Sequence, residues 1–466
     1  MSPCETTGMG GSTNILAQFP QRGRILVPRE VGSQEREVAR MGDVMRLVAR
    51  VCRRYLAGPD RDFILRPATG FTPPGVTRAG LYLHIPFCRS LCPYCPYNRI
   101  AYDPDLAEPY AQAVLAELAR YAGGEHNIQA SSLYIGGGTP TTMMNQLGPV
   151  LEGFHRVFDI TGEVALETTV GDITPDAVTR LRALGVDVLS LGVQSFNDRL
   201  LRAIGRTYSS EAARAAVRVA QAGGFQSLNV DLMFCLPGQT VQNFLHDLEL
   251  VTQLGVDQVT CYPLFSFPYS TAGRSQGLPE LRMPPTRERR AMYHAMHTFL
   301  EGHGYRRVSV WGFQKGQGPR YSSVTRDEYL GFGAGSGSHI NGLSWFNTFS
   351  VSEYTAACAA GRSPVALSMP FTPAMERSFW LYWRLYDSSM DIAQLRDHFR
   401  ADAGKLWLLL AKARALGMVR EEAGRLWLTE RGAFWIHLLQ NEVALRAVDR
   451  IWSVCLHDPW PEEIQL

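Results

Sequence analysis

Residues 81–99 read LYLHIPFCRSLCPYCPYNR, and the rest of the chain is organised around them. The apolar run Leu81-Tyr82-Leu83-His84-Ile85 predicts a buried strand. Pro86, which has no N–H for a ladder, ends it. Cys88, Cys92 and Cys95 then follow on a loop, spaced C-x3-C-x2-C. Three thiolates this close in sequence can meet at one metal centre. A [4Fe–4S] cluster ordinarily takes four cysteines, so a local triplet leaves one iron open. An open coordination position is what separates a reactive metal site from a closed structural one. Two blander readings compete. Zinc sites usually pair C-x2-C with a second close pair, which this chain lacks, and a disulfide would need an oxidising compartment.

Composition narrows the classes. At 466 residues the chain is long enough for two to four domains, or for one large barrel with additions. A formal net charge of +2 gives no bulk electrostatic case for a nucleic-acid partner. No apolar run reaches the length of a membrane-spanning helix. The polar N-terminus has no apolar signal core, and nine cysteines without a framework fit a reducing compartment, so the expected location is cytoplasmic. Cys4, Cys52, Cys235, Cys261, Cys358 and Cys455 share no tight spacing and read as ordinary residues.

Residues 36–56 carry apolar positions at helical spacing interleaved with Arg40, Arg46, Arg50, Arg53 and Arg54. Such a basic amphipathic helix suits a membrane surface, giving peripheral membrane contact, though packing on the body with the arginines in water is the favoured reading. Pro67–Gly75 marks a boundary near residue 78. Beyond it, short apolar strands alternate with helical stretches. The strands are Leu81–Ile85, Ser132–Ile135, Val164–Glu167, Val188–Leu191, Ser227–Leu232 and Gln258–Tyr262; the helices include Leu106–Tyr121, Ala177–Leu184 and Ala212–Ala222. Six βα units predict a parallel sheet, an incomplete version of the (β/α)8 barrel, with chemistry at the C-terminal strand ends. The cysteine loop follows the first strand and falls at that end.

Other chemistry-bearing residues recur at successive strand ends. Gly136-Gly137-Gly138-Thr139-Pro140 follows strand two, where glycines let backbone approach a ligand. Glu167 ends strand three, Gln194 and Arg206 follow strand four, and Asp231 lies in strand five. Past strand six come Phe265, Phe267 and Tyr269, aromatic enough to receive a flat substrate or to be core.

The triplet with Tyr94 before its last cysteine resembles the radical S-adenosylmethionine superfamily. Tyr82 with HIPFC narrows the resemblance to the oxygen-independent coproporphyrinogen dehydrogenase-like family. That family includes the dehydrogenases, haem chaperones, haem-opening enzymes and class C methyltransferases. The resemblance implies an α/β fold, an incomplete (β/α)6 barrel with a small helical, winged-helix-like C-terminal domain. It divides the chain into 1–78 (an extension), 79–370 (barrel and cover) and 371–466. It implies that Cys88, Cys92 and Cys95 hold a [4Fe–4S] cluster whose open iron binds S-adenosylmethionine. Cleavage of that cofactor gives a 5′-deoxyadenosyl radical. Tyr82, Tyr94, Gly137, Gly138, Thr139, Glu167, Gln194, Arg206 and Asp231 match cofactor-binding positions. An electron donor such as flavodoxin or ferredoxin is implied as well.

The chain also departs from the family pattern. Thr169 and Val170 stand where Asn and Pro are usual after the Glu, Tyr208 where His follows the Arg, and Cys235 where Gly precedes Leu-Pro. Tyr97 occupies the place of the dehydrogenases' fourth cysteine, which argues against porphyrinogen decarboxylation. Roughly eighty residues precede the triplet, more than in the haem chaperones. The glycine-rich run Tyr329–Ile340, with His339, resembles the segment that helps bind a second S-adenosylmethionine or the substrate. The extension, Gln258–Leu264 and Asn347–Ser350 loosely resemble menaquinone-methylating members. The expected function is therefore class C methyl transfer to a flat unsaturated substrate such as menaquinone, using two S-adenosylmethionine molecules. The alternatives are coproporphyrinogen-type decarboxylation, haem ring opening, and a haem carrier.

Overall fold

The computed structural model describes residues 47–54, 56–59, 62–122, 128–265, 267, 269–270, 284–322, 327–400 and 403–466. Six parallel strands form the body: β1 (Arg78–Ile85), β2 (Ile128–Gly137), β3 (Val164–Thr169), β4 (Val188–Gln194), β5 (Ser227–Phe234) and β6 (Gln258–Pro263). They lie side by side in chain order, each paired in parallel with the next. All six expected strands are present, each longer than its apolar run by one to six residues because sheet pairing extends beyond the hydrophobic signal. Every residue of β4 is buried, as expected for a parallel strand covered on both faces.

The helices return the chain between strands. The first, α1 (Pro104–Ala119), starts where Asp103 accepts the Asp105 N–H and Pro104 takes the first turn, where its missing N–H costs nothing. The sheet continues past the parallel run on both sides. At one edge β7 (Gly312–Gln314) pairs antiparallel with β6. At the other, β8 (Tyr329–Phe332) pairs in parallel with β1, and β9 (Gly337–Ile340), β10 (Leu343–Asn347) and β11 (Val365–Pro370) follow antiparallel. Together with flanking strands Ile64–Pro67, Ile464–Gln465, Arg306–Arg307 and Phe158–Ile160 this makes one fifteen-stranded mixed sheet. Pro67, expected to open a linker, is instead the last residue of a paired strand.

The C-terminal part carries α3 (Pro373–Tyr386), a three-stranded sheet of β12 (Ser389–Asp391), β13 (Val419–Glu422) and β14 (Arg425–Leu428), and helices α4 (Ile392–His398), α5 (Ala403–Ala415) and α6 (Glu430–Cys455). The β13–β14 hairpin turns through Ala423 and Gly424, both at positive φ, as a two-residue hairpin turn of this twist requires. Between β7 and the parallel strands runs α2 (Thr286–Gly302), against which α6 packs.

Of the basic amphipathic helix expected at 36–56, residues 36–46 lie outside the described residues, and 47–54 are helical. Ala49 is buried there, and Arg53 donates to the Leu466 carbonyl at 3.2 Å. That face packs on the chain's own C-terminal strand, while Leu47 and Val51 are exposed. Among the described residues no helix is long and apolar enough to cross a membrane.

One buried carboxyl fastens α1 to the cover. Glu117 receives the Gly333 N–H at 2.9 Å, the Asn347 amide at 2.6 Å and the Tyr354 hydroxyl at 2.6 Å. Burial pushes it from 4.5 up to about 7, against the pull of those donors. The unfolded chain loses this proton first as pH rises, so the folded state is the better proton binder between the two values. Stability contributed here is present at low pH and is lost as pH rises through about 7, with a total of about 3 kcal/mol for a shift of this size. Urea midpoints should fall between about pH 5 and about pH 8, and Glu117→Gln should flatten that fall. An unchanged slope in the variant would remove Glu117 as its source.

Candidate active site

At the C-terminal ends of the parallel strands lies a cavity of about 360 Å³, a size usual for small-molecule sites. Eleven of the twelve residues singled out in the sequence line it: Cys88, Cys92, Cys95, Tyr94, Gly137, Gly138, Thr139, Glu167, Gln194, Arg206 and Asp231. The exception is Tyr82. It stands one layer deeper in the sheet, stacked on Tyr134 at 5.7 Å, with its hydroxyl 2.7 Å from His84 Nδ1. His84 Nε2 lies 2.7 Å from the Asn98 carbonyl, which can only accept. The proton therefore sits on Nε2, and Tyr82 donates to Nδ1. Burial holds His84 neutral, lowering it to about 4.

The cysteine loop is fixed from several sides. The Thr139 hydroxyl approaches Cys88 Sγ at 3.6 Å, and the Arg99 guanidinium donates to the Cys92 carbonyl at 2.5 Å. Burial pushes the Cys88 thiol up to about 12 and raises Cys95, while Arg99 opposes both shifts. Loading a metal centre must therefore displace protons from these thiols.

The glycine turn is shaped by contact. Gly137 has φ +111°, and a Cβ there would fall 2.5 Å from His84 Cε1. Its N–H donates to Glu167 Oε1, and the Tyr134 hydroxyl donates to Glu167 Oε2 at 2.5 Å. Burial raises the Glu167 carboxyl. Burial also pushes Asp231 up to about 7, helped by the Glu167 charge and opposed by hydrogen bonds from Asn229 and Ser190. Two buried carboxyls in one cavity invite a cationic ligand, whose charge would stabilise both anions. Across from them, the Arg206 guanidinium lies between the Tyr94 and Tyr208 rings, 5.7 Å from each centroid. Among the described residues its buried Nε–H has no acceptor, which suits an anionic group on the same ligand. Gln194 holds a left-handed φ of 70° at a register shift in β4, strain of a kind concentrated at functional sites.

Sequence reasoning missed Tyr134, Tyr321 and Arg99. Tyr134 and Tyr321 join hydroxyls at 2.8 Å beneath Glu167, and no spacing rule brings residues 187 positions apart together. Of the aromatic loop, Phe265 lines the cavity with Tyr97 and Tyr262, whereas Phe267 is buried and Tyr269 bonds the Pro96 carbonyl at 2.9 Å. His339 lies outside the cavity, buried against Ser344 and Glu376.

The sequence profile described as the Radical SAM superfamily matches residues 82–251, the span that carries this cavity's cysteines, glycine turn and polar strand ends. The heme chaperone HemW of Mycobacterium tuberculosis is 30% identical over 299 residues, covering 62% of this chain and 76% of that one. Anaerobilin synthase of Escherichia coli O157:H7 is 27% identical over 372 residues, covering 78% of this chain and 83% of its own. Among solved structures, coproporphyrinogen III oxidase (HemN) of Escherichia coli superposes with a TM-score of 0.67 at 23% identity, over 79% of this chain and 90% of that one. The protein belongs to the radical S-adenosylmethionine superfamily, within its coproporphyrinogen oxidase-like family. Its fold is the α/β radical fold of that structure, and its cofactors are a [4Fe–4S] cluster and S-adenosylmethionine.

Proposed function

We propose that this radical enzyme opens the ring of a haem-type tetrapyrrole, the reaction class to which anaerobilin synthase gives its name. The observation that carries the reading is the cavity's mixed lining. Glu167, Gln194, Arg206 and Asp231 line it together with the aromatic Tyr97, Tyr262 and Phe265. Aromatic side chains can receive a flat macrocycle, while the polar residues take the charged ends of the cofactor. Tyr97 is 47% exposed and replaces the fourth cysteine expected of a porphyrinogen decarboxylase. The extent of the match supports this choice, since anaerobilin synthase aligns over 78% of the chain and the chaperone over 62%.

In this reading Cys88, Cys92 and Cys95 hold the cluster, which when reduced supplies the electron that splits S-adenosylmethionine. Gly137 and Gly138 let backbone meet the methionine end. Glu167 and Asp231 hold cationic groups, Arg206 the carboxylate, Gln194 the ribose, and Tyr94 and Thr139 brace the loop. Tyr82 acts from beneath, keeping His84 fixed under Gly137. Residues 79–370 form the catalytic unit, and 371–466 a lid or scaffold. A second S-adenosylmethionine as methyl donor belongs to the same proposal.

The test is anaerobic turnover of reconstituted protein with S-adenosylmethionine, reductant and haem, followed by mass spectrometry. 5′-Deoxyadenosine, S-adenosylhomocysteine and loss of the haem Soret band are expected. Haem retained intact without either cofactor product would instead establish the carrier role, which the 30% identity to a chaperone favours as second reading. A menaquinone arm tests the quinone expectation. There, a product heavier by one methyl group, with haem untouched, would replace the tetrapyrrole reading.

A further inference from the structure

A second cavity, of about 540 Å³, exceeds the candidate active site in volume and shares no lining residue with it. It is a cleft between the edge of the large sheet and the small β12–β14–β13 sheet. One wall holds Arg306, Arg307 and Arg320, and the other Arg384, Arg420 and Arg425. Against these six guanidinium groups the cleft sets three carboxylates, Glu301, Asp387 and Asp391.

The carboxylates are already engaged. Asp387 takes Arg320 at 2.6 Å. Asp391 caps α4, accepting the Ala393 and Gln394 N–H groups at 2.8 and 3.0 Å. Glu301 lies 3.1 Å from His297, whose imidazole is held neutral by burial, so its charge is balanced by Arg307 and Arg420 and not by the histidine. Several arginines, by contrast, hydrogen-bond only to uncharged groups. Arg307 donates to the Leu428 and Thr429 carbonyls, and Arg425 to Ser389 Oγ at 3.2 Å. Arg306 has no acceptor among the described residues, and Arg420 pairs with Glu422, which does not line the cleft. Carbonyls and hydroxyls satisfy geometry but leave the positive charge in place. Like charges facing one another across a concave wall raise the local potential and focus it on an anion. Arg420 and Arg425 also lie 5.9 and 5.8 Å from the Trp427 ring centroid, within cation–π range. Planar forks of this kind match the paired oxygens of phosphate and carboxylate.

We propose that this cleft binds a small polyanion bearing two or more phosphate or carboxylate groups, held chiefly by Arg306, Arg307 and Arg425. The site is separate from the radical chemistry and does not depend on the substrate assigned above.

The experiment is isothermal titration of the full chain with tripolyphosphate and, separately, with benzenehexacarboxylate, at low salt. Thermal melts run in parallel, since a ligand of the folded state raises the midpoint. Saturable binding of either probe is expected, at least tenfold weaker in Arg306→Glu/Arg425→Glu and unchanged in Arg218→Glu. Both cleft positions are exposed, so that variant should fold, and its melt without ligand checks this. Tripolyphosphate alone would assign a phosphate ligand, benzenehexacarboxylate alone a carboxylate one, and both a general oxyanion site. Neither probe binding, or equal binding by the cleft variant and wild type, would overturn the proposal.

Discussion

Changing Cys92 to alanine should strip the reconstituted protein of its iron–sulfur absorbance and of all S-adenosylmethionine cleavage, a loss on the order of a hundredfold or more in rate. The triplet supplies three ligands and the chain offers no nearby fourth, since Tyr97 occupies that place. Losing one thiolate leaves two irons without protein ligands, where the resting site tolerates one. Cys92 is a better position to change than Cys88 because it is only partly buried, whereas Cys88 packs against Thr139 and is almost fully enclosed. A folding defect is therefore least expected there. Cys358→Ala serves as the control. That thiol is buried near Tyr354 and does not line the cavity, and iron content should not change. Iron and sulfide assays, with 5′-deoxyadenosine by mass spectrometry, decide the matter. Full cleavage by the Cys92 variant would remove the triplet from the chemistry.

The reason these cysteines were legible lies in their spacing: C-x3-C-x2-C is local, and local patterns survive without coordinates. The six strands were legible for a similar reason. Strands buried on both faces read as short apolar runs, and β4, buried throughout, is the clearest case. The polar residues of the cavity could be ordered because each lies at or beyond the end of a strand, and parallel strands present their C-terminal ends together. What sequence could not supply is distance between strands. Tyr134 reaches both Glu167 and Tyr321, yet an isolated tyrosine in an apolar strand has no pattern to mark it. His339 was open between a lining and a structural role for the converse reason: its glycine-rich surroundings suggested a ligand, and only the fold shows its ring committed to Ser344 and Glu376. The arginine cleft was equally hidden. Its walls come from residues 301–320 and 384–428, and only folding sets them face to face.

Gly138→Ala should cost the protein at least tenfold in S-adenosylmethionine affinity and lower its iron content, although a single methyl group is all that is added. The methyl carbon would lie 2.7 Å from the Phe87 carbonyl oxygen, 2.9 Å from that of Ile85 and 3.0 Å from Cys88 Sγ. Two of these contacts are backbone, so no flexible side chain can swing aside to relieve them. The same carbonyls hold the turn in place, Gly138 N–H donating to Ile85 at 2.7 Å and Thr139 N–H to Phe87 at 2.8 Å. Relief therefore means parting β1 from the glycine turn and moving Cys88 with it, so one substitution disturbs both cofactor sites. Gly171 lines the same cavity, yet a Cβ there meets nothing within 4 Å, and its φ is ordinary. Gly171→Ala thus separates the steric effect at Gly138 from a general intolerance of added bulk in the cavity. It should keep wild-type iron and bind the cofactor within about threefold of wild type, a difference below about 1 kcal/mol. Equal losses in the two variants would mean that the cavity as a whole resists bulk. Retention by Gly138→Ala would mean that the close approach of β1 to the glycine turn is not what positions Cys88.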